Sequence, residues 1–196
     1  MHNIEPYYNW QLYYDSAEDE RSPFHGIIYN EFEFTKKIYN YLIHPQWDDM
    51  GSPTLYLKVI YANYDTGFAV IELIGEWNDC INNDVMYLKT DVVDRMQESG
   101  INKFALVAEN VLNFHSSDDS YYEEWYDDLL DNGGWVMVLG LREHVEADMR
   151  SAHLDHYLRM NHYLAELNWR GLEPDQLFAL LESLIASRSL EASAEG

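Results

Sequence analysis

Cysteine is nearly missing from this 196-residue chain. Cys80 is the only one, which excludes an internal disulfide and removes the usual evidence for secretion. Basic residues are scarce as well. Twelve Lys and Arg face thirty-five Asp and Glu, for a formal net charge of -23, and such a chain repels phosphate backbones and anionic membrane surfaces. Nucleic acid and membrane are therefore not expected partners; a basic protein, a cation or plain solubility fits this charge better. No stretch approaches the roughly twenty apolar residues of a membrane span. The opening residues, MHNIEPYYNWQLYYD, have no basic region leading into an apolar run, so a cytoplasmic protein is expected. Zinc patterns of the HExxH or CxxC type, a glycine-rich phosphate loop, a GxSxG elbow and a dinucleotide fingerprint are also absent. No cofactor, metal ligand or catalytic residue is assigned. With Asp79 and Asp84 as its charged neighbours and no base beside it, Cys80 is expected to be an inert or buried thiol.

What the chain does have is 47% hydrophobic residues, enough to bury one substantial core. Aromatics crowd residues 1–53, which are expected to form an extension packed on that core. Phe32 and Phe34 alternate with Glu31 and Glu33 as in a half-buried strand, and residues 38–43 suit another strand, although Phe32, Tyr39 and Leu42 also fit a helix. Residues 54–63 and 68–77 are strands joined at Tyr64-Asp65-Thr66-Gly67, whose glycine supplies the positive φ of a tight hairpin. Val85, Leu88, Val92 and Met96 share one helical face over 84–99, with Asn83 as cap and Gly100 as stop.

Residues 101–108 then form a nearly continuous apolar strand, and KFALVAENVLNFHSSDDSYYEEWYDDLLD passes through a serine turn into an acidic helix over 118–131. Gly133-Gly134 releases the chain into the strand WVMVLGL, and Val145, Met149, Ala152, His156, Met160 and Tyr163 mark a long helix over 146–167. Alternating strands and helices predict an α/β core over 54–168 with a mixed, mostly parallel sheet led by an antiparallel hairpin. The segment 169–196 adds a helix with Pro174 in its first turn and a leucine stripe from Leu177 to Ile185. That stripe packs on the core or forms a homodimer through the helix, and the tail from Glu191 is expected to fray.

From Tyr56 to Tyr157 the order of landmarks resembles the STAS family, the fold of anti-sigma-factor antagonists that also occurs as a cytoplasmic domain of sulfate transporters. The matching residues are Gly75-Glu76-Trp77 at the end of the hairpin, the helix closing at Gly100, the apolar strand, and Val111 and Phe114 before a serine pair. The Gly-Gly entry into the last strand completes the set. The resemblance implies a STAS-like βαβαβα core with extra N-terminal strands and an extra C-terminal helix, with helices layered on one side of the sheet. In that family the turn reads Asp-Ser-Ser-Gly and its first serine is the phosphoacceptor. Here the turn reads His115-Ser116-Ser117-Asp118, so Ser116 takes that position, with His115 in place of the acid and Asp118 in place of the glycine.

Two roles stand open for Ser116 and Ser117: phosphoacceptor, or cap of the acidic helix, with Asp118 and Asp119 complementing its positive end. Along that helix Asp119 and Glu123, Glu123 and Asp127, and Glu124 and Asp128 are like charges at i,i+4. Each such pair costs a few tenths of a kcal/mol, roughly, which a basic partner would relieve. The expected function is a non-catalytic cytoplasmic interaction or regulatory module. Its docking face would combine Trp77, Asn78 and Asp79 with Ser116, Ser117, Asp118, Asp119, Glu123 and Asp127. The alternative is a small-molecule-binding protein or enzyme whose pocket joins the N-terminal aromatics to His115 and His144. His153, Asp155 and His156 lack a recognisable metal-ligand pattern, and His156, lying in the apolar stripe, is expected to be a core histidine.

Overall fold

Alternating side chains along residues 55–78 put Leu55, Leu57 and Val59, then Ala69, Ile71, Leu73 and Trp77, into one continuous hydrophobic core, as the two-residue period of a strand requires. A short ribbon, β1 (Lys37–Ile38) and β2 (Tyr41–Leu42), comes first in the chain. The main sheet follows: β3 (Leu55–Asn63), β4 (Phe68–Asn78), β5 (Lys103–His115) and β6 (Trp135–Leu139). Its order is β3-β4-β5-β6; the first pair is antiparallel and the other two are parallel. The computed structural model describes residues 3–30 and 32–194, with side chains as far as 187. Residues 1–166 and 167–196 form two compact units.

Helices α1 (Asp79–Asn82) and α2 (Asp84–Tyr87) follow β4, and α2 continues through a π-helical stretch, Leu88–Val93, into α3 (Asp94–Glu98). After β5 comes α4 (Ser120–Leu130), and after β6 come α5 (Glu143–Ser151) and α6 (His162–Ala165). Val85, Leu88, Val92 and Met96, then Tyr122, Trp125 and Leu129, then Val145 and Met149 all join the same core as the strand residues above. The helices therefore cover one face of the sheet. Gly100 stops the 84–98 helix at φ +100, where Ile101 N–H reaches back to Met96 O at 3.0 Å, as in a Schellman-type ending.

The other face of β3 and β4 is covered by the N-terminal segment. Ile38, Ile43 and Trp47 pack with Tyr56 and Ile74, Trp10 meets the Tyr61 ring edge-on at 6.1 Å, and Tyr7 N–H donates to Glu72 Oε2 at 2.7 Å. Among the described residues, the strands expected in this third are limited to β1 and β2. Phe32 is 88% exposed and lies in irregular backbone with Phe34, while Glu31 lies outside the described residues. The reason is local: Asp15, Asp19, Ser22, Asn30 and Asp49 each accept a backbone N–H two residues on. Such turns compete with ladder pairing.

The expected 146–167 helix is also corrected. It ends at Ser151, and His153 turns left-handed at φ +60. The chain then runs along the open edge of β6, where Val138 N–H donates to Arg159 O and Arg159 N–H to Val136 O. Edge strands need such partners, and Leu154, Leu158 and Met160 still reach the core, so the helix-like spacing was satisfied by a different backbone. His156 is exposed, not a core histidine. In the second unit, α7 (Pro174–Ala194) starts at the expected proline, with Leu177 and Leu181 buried. It runs on past Glu191, and residues 195–196 lie outside the described residues.

Gly75 has φ +124, and a Cβ there would lie 2.0 Å from Thr54 O, at the point where β4 is bonded on both sides, to Leu55 and to Val111. Neither strand can withdraw without breaking ladder bonds. Gly75→Ala should cost more than about 3 kcal/mol, checked by urea denaturation; a loss below about 1 kcal/mol would show that the strand relaxes freely.

Candidate functional site

The parallel register of β4 and β5 sets Trp77 beside Phe114 and Asn78 beside His115, so both chains leave the sheet at the same end. Two loops meet there. Asn78 caps α1, its Oδ1 accepting from Ile81 N–H at 2.9 Å. Asp79 is 3% exposed and holds three donors. Its Oδ1 accepts from Val85 N–H at 2.8 Å and from Trp77 Nε1–H at 3.1 Å, and its Oδ2 accepts from the Tyr122 hydroxyl at 2.6 Å. Behind it the buried Asp84 accepts from Asn78 N–H at 2.7 Å. Tyr122 stacks on Trp77 with ring centroids 6.3 Å apart, and Phe114 meets Trp77 edge-on.

Burial drives the Asp79 carboxyl up to about 6, the charge of Asp84 adds to the rise, and the hydrogen bonds from Tyr122, Val85 and Trp77 oppose it. Tyr122, fully enclosed beside this carboxylate, is pushed far above the ordinary phenol range, chiefly by burial. Trp77, Asn78 and Asp79 thus stand behind the surface and fix the loops that form it. This role also corrects Asn83, whose side chain caps nothing. It is the left-handed hinge, φ 55, between α1 and α2, and the N–H it was expected to satisfy at the start of α2 goes to Asp79.

The serine turn itself is exposed from His115 to Asp118. Neither Ser116 nor Ser117 caps the acidic helix. Asp119 occupies the cap position without a side-chain cap bond, and Asp118 accepts from both the N–H and the hydroxyl of Ser120. The Ser120 hydroxyl holds the Asp118 carboxyl below its ordinary value. Asp119 Oδ2 accepts from the Tyr157 hydroxyl at 2.8 Å, tying the turn to the segment after α5. Ser116, His115 and the exposed Cys80 line an open polar cleft of about 460 Å3 with Asp148 of α5. The thiol is therefore not buried. Among the described residues no hydrogen bond joins Ser116 to His115 or His144, whose Nε2 lies 2.7 Å from Leu112 O. The described residues also contain no cluster of His, Cys, Asp and Glu able to hold a metal ion.

Lys89 is the residue that the sequence pattern left out. Its side chain is 2% exposed, and its Nζ lies 2.6 Å from Asp94, 2.8 Å from Asp128 and 3.4 Å from Glu124. One buried cation thus offsets part of the charge on one flank of α4; burial works to lower the Lys89 pKa, and the hydrogen-bonded carboxylates outweigh it and raise it. The repulsion between Glu124 and Asp128 is relieved from inside the molecule. Glu123 and Asp127 lie on the other flank, exposed, beside Tyr126 (37% exposed) and Leu130 (52%). A lysine at a position otherwise facing the core was the available signal, since a buried ammonium has to be paired.

No family model matches the sequence, and no curated protein does. Solved structures do show similarity. The anti-sigma factor antagonist SpoIIAA in its unphosphorylated form is 14% identical, with 60% of this chain and 98% of that chain covered at a TM-score of 0.43. The phosphorylated form of SpoIIAA, a Bacillus cell fate determinant, is 13% identical, over 54% of this chain and 92% of that one, with a TM-score of 0.38. A Thermotoga maritima protein named as a candidate anti-sigma factor antagonist is 21% identical over 45% and 75%, with a TM-score of 0.37. The mixed sheet with its helices is read from this chain's own strand order. What the site can do has to come from its own side chains.

Because the folded pKa of Asp79 lies above its ordinary 3.8, the folded state holds more protons than the unfolded one between those values. The stability contributed by this group is fully present below about pH 4 and is lost as pH rises through about 6. Asp79→Asn has no charge to desolvate. Relative to wild type, its urea stability should therefore rise by about 1–3 kcal/mol between about pH 4 and pH 7, and a flat difference would contradict the burial of a charged carboxylate.

Proposed function

We propose that this chain is a regulatory protein-interaction module of the cytoplasm, and that its docking face is the exposed serine turn together with the outer flank of α4. The partner is a protein presenting Lys and Arg. One observation carries this reading: Lys89 pairs with Glu124 and Asp128 on one flank of the acidic helix, whereas on the other flank Glu123 and Asp127 stay exposed beside Tyr126 and Leu130. An acidic patch with aromatic and aliphatic surface in its midst suits a basic partner, since opposite charge speeds encounter and the apolar groups hold the contact.

Ser116 and Ser117 are the candidate phosphoacceptors. Both are exposed and free of any capping duty, so modification would not uncap the helix. A phosphate adds up to about two negative charges next to Asp118 and within a patch that already repels anions. Trp77, Asn78 and Asp79 serve the face by holding it in place, with Asp118, Asp119, Glu123 and Asp127 on or beside it. The weight lies on these side chains, not on the likeness to SpoIIAA.

With the partner isolated by pull-down from the native cell, Ser116→Asp should leave the melting temperature unchanged within about 2 °C while altering binding by more than tenfold, about 1.4 kcal/mol. Ser116→Ala should be nearly neutral for stability, because the residue caps nothing. Glu123→Lys should weaken binding by a similar factor, more at low salt than at high. Binding indifferent to Ser116→Asp, Ser117→Asp and Glu123→Lys alike would place the docking face elsewhere.

A further inference from the structure

The N-terminal segment forms an open cavity of about 490 Å3 against the middle of β3, within the size range of small-molecule sites. Neither His115 nor His144 lines it, so the pocket expected from those histidines and the aromatics together does not form. Four tyrosines do line it, Tyr7, Tyr8, Tyr14 and Tyr29. The lysine at its wall, Lys58, is already neutralised: its Nζ is 3.3 Å from the buried Asp48 and sits 3.6 Å from the centre of the Tyr29 ring. Tyr29 closes that group by donating its hydroxyl to Asp48 Oδ1 at 2.5 Å. The carboxylates left facing the cavity are Asp15 and Glu18.

Tyrosine faces carry negative quadrupole potential, and carboxylates at the same wall add to it, which is the chemistry that attracts an organic cation. Lys58 over Tyr29 shows that this wall accepts an ammonium at close range. Ser16, 1% exposed, also lines the cavity, with its hydroxyl interacting with Tyr29. Apolar surface is available for the rest of the molecule, since Ile28 at the cavity is 94% exposed. We infer that the cavity binds a small organic ammonium ion, its charged nitrogen set among the tyrosine rings and Asp15 and its apolar body against Ile27 and Ile28. The inference is independent of the docking face, which lies at the end of the sheet.

Three isosteric probes separate charge from shape: phenethylammonium, the neutral phenethyl alcohol and the anionic phenylacetate, each titrated calorimetrically into the full chain. The cation should bind at least tenfold more tightly than the alcohol, and phenylacetate should not bind. Tyr8→Ala and Asp15→Asn, both at exposed or half-exposed positions, should each weaken the cation at least fivefold. Leu12→Ala, 97% exposed and outside the cavity, should leave it unchanged. Near-ultraviolet circular dichroism checks that the variants keep their packing. Equal binding of the alcohol, preference for phenylacetate, or no binding of the cation would each overturn the inference.

Discussion

A single buried carboxylate, Asp79, ties its own loop to a helix 43 residues further along the chain. It takes a hydrogen bond from the indole of Trp77 on β4, one from the backbone of Val85 at the start of α2, and one from the hydroxyl of Tyr122 in α4. Each donor would be costly to leave unmade in a dry interior, and the carboxylate itself is tolerable there because all three point at it. The result is that the chain after β5 is gripped from below, while His115, Ser116 and Ser117 stay exposed at the surface. Rigidity under an exposed loop lowers the ordering cost of binding, which is how a small acidic patch can act as a recognition surface.

Charge is organised on the same principle. A chain of net charge -23 cannot pair its carboxylates one by one, so the position of each cation decides which acids are spent on folding. Lys89 is committed to Asp94, Glu124 and Asp128, and Lys58 to Asp48. Among the carboxylates that face outward are Glu123, Asp127 and Asp118 at one end of the sheet and Glu18 beside the half-buried Asp15 at the tyrosine cavity.

Much of the core was legible in sequence because its signals are local and periodic. The hairpin glycine, the apolar alternation of β3 and β4, the 84–98 helix face and the leucines of α7 all obey one spacing each. The failures have a common cause, which is that longer-range demands decide between backbones of similar local preference. Residues 152–160 carry helix-compatible spacing, but the open edge of β6 claims Arg159. The N-terminal aromatics have strand propensity, yet Asx and Ser turns break up residues 15–32. At the site, the convergence of two loops was foreseeable from parallel strand order, whereas the burial of Trp77, Asn78 and Asp79 was not. Their polar atoms read as surface until Tyr122 and Val85 are seen to reach them.

Amide hydrogen exchange in Tyr122→Phe tests the Asp79 linkage most directly, since this change deletes one hydroxyl donor and no volume of the ring. Val85, whose N–H shares the same carboxylate, and Glu123 in the first turn of α4 should lose protection by at least roughly tenfold, while Leu106 in the centre of β5 keeps its own. Unchanged exchange at Val85 and Glu123, or an equal loss at Leu106, would contradict a local anchor that holds the two loops together.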